Sequence, residues 1–145
     1  MSKTFDNGMI CASEQAVVAV SSVYDAVRER FSTHGGYILS PEELEKVRQV
    51  VFPNGHLSAD VVGQSAVKIA ARAGVAVPAT TKVLIGEVET VGDEEPFAHE
   101  KLSPTLALYR RADFAAALDA AAELDRKSTR LNSSHTDISR MPSSA

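Results

Sequence analysis

The sequence predicts an α/β fold, the class in which short apolar strands alternate with helices of about ten residues. Three observations predict it. Lys82 to Val88 is a nearly continuous apolar run of the type buried on both faces of a parallel sheet. Ser40-Pro41-Glu42-Glu43 is a strong helix start, with serine as the cap, proline in the first turn and Glu43 placed to reach back as in a capping box. Runs of strand character and runs of helical spacing succeed one another from Gln15 to Leu124.

Each element has its own signal. The polar start through Cys11 reads as a loop, with Asn7-Gly8 as a turn. Gln15 to Val20 is short, apolar and β-branched, a buried strand. Ser22 is expected to cap a helix in which Val23, Ala26, Val27, Arg30 and Phe31 follow helical spacing, with Gly35-Gly36 as its end. After Ser40, the residues Leu44, Val47, Val50 and Val51 make one apolar face, and Pro53-Asn54-Gly55 stops that helix. A third helix is expected from Gln64 to Ala73, closed by Gly74. Glu89 to Pro104 is acidic and bounded by proline, hence a loop, and Thr105 to Tyr109 is a second buried strand. Asp113 caps a last helix, with Phe114, Leu118, Ala121 and Ala122 on one face.

Composition narrows the function classes. Apolar residues are 44% and charged residues 23% of the 145, the balance of a globular protein. No apolar run approaches the roughly 18 residues of a membrane helix. Met1 to Asp6 has no apolar stretch of a signal peptide. The net charge is −4, and no basic patch points to nucleic acid. The single cysteine cannot form an internal disulfide, which fits a reducing, cytoplasmic setting. It also excludes zinc sites built from several cysteines, and no metal site is expected.

Asp125 to Ala145 differs from the rest. It holds six serines, few apolar residues and no regular period, so it is expected to stay disordered. Asp125 to His135 resembles the translation of a common sequencing-library adapter, and Ser139 to Ala145 resembles that adapter's continuation. The natural domain is therefore expected to comprise residues 1–124, with 125–145 as an adapter-derived tail. Without those residues the charge becomes −6, which argues further against nucleic acid.

Cys11 lies in a polar, glycine-containing loop that leads into a buried strand. Catalytic groups concentrate on loops held by rigid elements, and turn N–H groups can stabilise an oxyanion. A buried structural thiol fits the same residues, since free cysteine is among the most buried residue types. The residues alone favour the structural thiol.

The stretch Ser2 to Gln15, with Phe5-Asp6-Asn7-Gly8-Met9-Ile10-Cys11-Ala12-Ser13-Glu14-Gln15, resembles the nucleophile loop of CoA-acylating aldehyde dehydrogenases. The likeness is nearest to the aldehyde dehydrogenase half of the bacterial bifunctional aldehyde–alcohol dehydrogenases. It continues through Val23 to Phe31, Val62 to Ala66, Lys82 to Val88 and Glu95 to Leu106. It covers residues 1 to about 124 and implies a partial catalytic domain of the aldehyde dehydrogenase fold.

The resemblance implies Cys11 as the catalytic nucleophile, NAD as cofactor and coenzyme A as co-substrate. Acetaldehyde, CoA and NAD would give acetyl-CoA and NADH, reversibly, through a thiohemiacetal and a thioester on Cys11. Aldehyde dehydrogenases carry a Glu-x-Phe-Gly-Pro motif whose glutamate holds the nicotinamide ribose. Glu100-Lys101-Leu102-Ser103-Pro104 aligns with it, with leucine and serine in place of phenylalanine and glycine, which implies Glu100 as the cofactor-binding residue. The partners implied are a small aldehyde or acyl-CoA and further copies of the parent chain. The family's dinucleotide-binding half would precede Met1, and a Gly-x-Gly-His-Thr segment would follow Leu124, so this chain by itself is expected to be inactive.

Asn7, Glu14 and His99 are secondary candidates, with a turn-shaping, a structural and a loop role as their plainer readings. His34 and His56 read as surface residues beside turns. Two other functions compete: a hydrolytic aldehyde dehydrogenase, and a non-catalytic α/β module with a structural cysteine. The Ile10-Cys11-Ala12-Ser13-Glu14-Gln15 context favours the acylating enzyme over the hydrolytic one.

Overall fold

The computed structural model describes residues 3–10, 13–92 and 94–126. Cys11 and residues 127–145 lie outside them; of the tail expected to be disordered, only Asp125 and Arg126 are described, and both are helical, continuing the helix that precedes them. Among the described residues four parallel strands form one sheet: β1 (Ala16–Val20), β2 (Gly36–Ile38), β3 (Val83–Glu87) and β4 (Thr105–Arg111), in the order β1-β4-β3-β2. Helix α1 (Ser21–Thr33) follows β1, while α2 (Pro41–Val51) and α3 (Ala66–Ala73) lie between β2 and β3. Helix α4 covers 114–126.

Parallel strands need crossovers, and helices cover both faces of the sheet. Alternation along the strands sorts the core into two layers. Leu106 and Leu108 of β4, with Val83 and Ile85 of β3, pack with Tyr24, Val27 and Phe31 of α1. Ala107 and Tyr109 of β4, with Leu84 of β3, face Leu44, Val47 and Val51 of α2, Ile69 and Ala70 of α3 and Ala120 of α4. β3 is the central buried strand that its apolar run predicts.

The capping box on α2 forms in full. Ser40 Oγ accepts from the Glu43 N–H at 3.2 Å, and the Glu43 carboxylate accepts from the Ser40 N–H at 2.9 Å. Gly74 closes α3 in the left-handed conformation, φ +72°. Asp113 caps α4, accepting from the Ala116 N–H at 2.8 Å.

Four local expectations change. Ser22 does not cap α1, which begins at Ser21 without a side-chain cap; the Ser21 hydroxyl donates instead to the Arg111 carbonyl of the adjacent β4. Gly35-Gly36 ends a helix but also opens β2, where an added Cβ on Gly36 would lie 2.8 Å from the Phe31 carbonyl oxygen. α3 starts at Ala66, because Ser65 caps it by accepting from the Lys68 N–H. The buried face of α4 is Ala117, Ala120 and Leu124, whereas Phe114 and Leu118 are 73% and 57% exposed. Both faces of α4 have helical spacing, and the small alanines allow the closer approach to the sheet.

Candidate active site

The site is set by the pairing of β1 with β4. Ala16 lies opposite Ala107, so the segments leading into both strands, 3–15 and 95–104, meet at one end of the sheet. The Gln15 carbonyl accepts from the Ala107 N–H at 3.2 Å and extends that pairing by one bond. These are the segments that carry Cys11 and Glu100. Residues 11 and 12 are outside the described set, and their neighbours show how the loop is held. The Ser13 N–H donates to the Ile10 carbonyl at 3.0 Å, and the buried Ser13 hydroxyl donates to the Gly8 carbonyl at 3.2 Å.

The turn before Cys11 is tight. Asp6, Asn7 and Gly8 all have positive φ, which Asn and Asp tolerate and Gly takes without cost. Gly8 is needed for a second reason: an added Cβ would sit 2.6 Å from the Ser103 carbonyl oxygen. Asn7 Nδ2 donates to the Gly63 carbonyl at 3.0 Å, and the Gly63 N–H donates to the Leu102 carbonyl at 3.1 Å. Asn7 thus ties the turn to the 61–64 loop, and that loop to the segment after Glu100.

The second segment is buried more deeply than an acidic loop suggests. Glu95 caps a short 3-10 turn, Pro96–Ala98, by accepting from the Phe97 N–H at 3.1 Å, and its carboxylate takes two bonds from the Arg48 guanidinium. Phe97 is fully buried, edge-on to Phe52. The His99 ring also stands edge-on to Phe52. Lys101 is fully buried; its Nζ donates to the Phe97 and His99 carbonyls at 2.6 and 2.7 Å. Burial, and then the charge of nearby Lys3, hold its pKa well below the usual lysine range.

Lys3 is buried too, and its Nζ donates to Gln15 Oε1 at 3.3 Å. Burial lowers its pKa to about 8, opposed by the charges of Glu14 and Glu100. Glu100 is exposed, with its carboxylate acting on both buried lysines. Glu14, also exposed, lines a hollow of about 460 Å³ with Lys3, Thr4 and Lys82 at the N-terminal ends of the strands. His34 and His56 are exposed, as surface residues beside turns should be. The described residues contain no group of three His, Cys, Asp or Glu side chains fit to hold a metal, and no helix long and apolar enough to cross a membrane.

Sequence reasoning missed Lys3, Gln15 and Lys101. A lysine beside Glu100 reads as a solvated charge, and only the fold shows its amine turned inward onto carbonyls.

Comparison with known proteins bears on the same segments. No family model matches the chain. It is 64% identical over 124 residues to the bifunctional aldehyde–alcohol dehydrogenase of Escherichia coli K12, and 54% identical over 124 residues to the aldehyde–alcohol dehydrogenase of Clostridium acetobutylicum. Each alignment covers 86% of this chain. The structure superposes on an acetylating aldehyde dehydrogenase from Geobacillus thermoglucosidasius with a TM-score of 0.81 and 42% identity over 85% of this chain. The chain corresponds to a segment of the acylating aldehyde dehydrogenases. It spans 14% of the length of those two curated relatives and 27% of the Geobacillus chain. Two further similar structures carry ligands: a propionaldehyde dehydrogenase of Rhodopseudomonas palustris holds propionyl-CoA, and an engineered glycolyl-CoA reductase holds NADP+. They are each 29% identical to this chain, with TM-scores of 0.76 and 0.78.

Proposed function

We propose that this segment supplies the nucleophile and one cofactor contact of an NAD-dependent, CoA-acylating aldehyde dehydrogenase. The observation that carries the reading is the meeting of two loops. The segments bearing Cys11 and Glu100 enter adjacent parallel strands, and both are bonded to Gln15. Similarity to acetylating and acylating aldehyde dehydrogenases supports CoA over water as the acyl acceptor.

In this reading the Cys11 thiolate attacks the aldehyde carbonyl and forms a C–S bond. NAD, when bound, accepts the hydride that leaves that carbon. The carbonyl reforms as a Cys11 thioester, and the CoA thiol displaces Cys11 to release acyl-CoA. The exposed carboxylate of Glu100 fits a ribose hydroxyl, since it can accept hydrogen bonds from outside the fold. The burial of Lys101 fixes the backbone from which Glu100 projects. The substrate is a small aldehyde or, in reverse, an acyl-CoA. The parent enzyme is read as a homo-oligomer of the cytoplasm, and residues 1–124 as its partial catalytic domain.

The test places residues 1–124 in the matching stretch of the full-length E. coli relative and compares Cys11 with Cys11→Ser. Serine is close in size, but almost no alkoxide exists at neutral pH without a dedicated base. CoA-dependent aldehyde oxidation should fall about a thousandfold or more, because no acyl thioester forms. NAD binding and the thermal melt should hold. Unchanged turnover would make Cys11 a structural thiol and end the reading.

A further inference from the structure

We infer that Gln15 is a positioning residue that holds the Cys11 loop and the Glu100 loop in one register, an inference that rests on the roles proposed for those two residues. Its side-chain amide makes four bonds. Oε1 accepts from the Lys101 N–H at 3.1 Å and from Lys3 Nζ at 3.3 Å. Nε2 reaches the Ser13 carbonyl and the Ser13 hydroxyl, each at 3.4 Å.

The chemistry of the partners fixes which way the amide points. A backbone N–H and a lysine ammonium can only donate, so the oxygen must face them. The Ser13 carbonyl can only accept, and the Ser13 hydroxyl already donates to Gly8, so the NH₂ must face Ser13. Ser13 is two residues past Cys11, and Lys101 is one residue past Glu100. A single amide therefore joins both loops beside their functional residues, and an amide is the group that donates to one and accepts from the other. Glutamate would keep only the Lys101 half, methionine would keep neither, and asparagine is one methylene shorter.

Other anchors flank this junction, and the link from Asn7 through Gly63 to Leu102 runs beside it. Arg48 and Glu95 secure the start of the 95–104 segment, and Asn7 secures the turn before Cys11 through Gly63. A nucleophile and a cofactor-holding carboxylate must keep their relative position to a fraction of an ångström for hydride transfer. Side-chain bonds between their loops meet that need.

The chain has one thiol, so alkylation with iodoacetamide reads Cys11 alone. The experiment compares wild type, Gln15→Met and Gln15→Glu in this chain by amide hydrogen exchange and by alkylation rate. In Gln15→Met the Lys101 amide should exchange about fivefold faster, the factor set by one net hydrogen bond. The Cys11 alkylation rate should change with it, although the substitution is uncharged and near in volume. In Gln15→Glu the Lys101 amide should keep wild-type protection while the Ser13 amide loosens, a split that a general loss of stability would not produce. The inference is overturned if Lys101 exchanges equally in wild type and Gln15→Met, or if the glutamate variant loosens both amides alike. If Gln15→Met fails to fold, the glutamate variant decides alone by that split. Failure of the Cys11 reading shows separately, as a wild-type thiol that resists alkylation.

Discussion

At the residue scale the decisive groups are polar and turned inward. Lys101 illustrates the balance. Its amine satisfies two buried carbonyls, of Phe97 and His99, at the cost of desolvating a cation. Lys101→Met removes the amine and both of these bonds. A buried unsatisfied acceptor costs about 1–3 kcal/mol, so the variant should be destabilised by ~2 kcal/mol despite relief of the desolvation. Urea unfolding checks this; a midpoint at or above wild type would show that the desolvation cost outweighs the bonds. Cys11 and Glu100 are proposed at this scale because motif resemblance works on residue order. Gln15 and Lys3 were not, because hydrogen bonding across 86 residues, as between Gln15 and Lys101, leaves no local pattern.

At the element scale two features carry separate costs. The capping box of α2 satisfies two backbone N–H groups at once. Ser40→Ala should destabilise the protein by about 1 kcal/mol, read as a lowered melting temperature. Gly86 in the middle of β3 works through space. An added Cβ would lie 2.5 Å from Leu44 Cδ1 and 2.9 Å from Phe97 Cε2. Gly86→Ala should cost ~1–3 kcal/mol by overpacking, since the strand is buried on both faces. A melting temperature equal to wild type would mean that Leu44 and Phe97 yield without strain. Helix α4 shows a limit of periodicity: two faces compete, and contact with the sheet selects the alanines.

At the scale of the whole molecule, stability should depend on pH through buried lysines and tyrosines. The Lys3 pKa falls from 10.5 to about 8 on folding, and that of Lys101 falls well below the usual range. Between about pH 8 and 10.5 the unfolded chain binds more protons at Lys3, so stability rises with pH there, by up to ~3 kcal/mol. Burial raises the Tyr24 and Tyr109 phenols above their usual 10.0, so above pH 10 the unfolded chain loses those protons first and stability declines. Denaturant midpoints from pH 7 to 11 should therefore rise and then turn over. Lys3→Met should flatten the rise; an unaltered rise would exclude Lys3 as its source.

The sequence by itself determined the α/β class, the capping box of α2, the Gly74 end of α3, the buried character of β3 and the family likeness. Each of these rests on neighbouring residues, through caps, turns and apolar runs whose physics is local. Only the tertiary structure decided the strand order β1-β4-β3-β2, the buried side of α4, the extra strand β2 and the junction at Gln15. Those features depend on which segments meet. Parallel pairing joins strands some 90 residues apart, as in Ala16 with Ala107. Their partners are chosen by the fit of whole faces, and no window along the chain contains both sides of that fit.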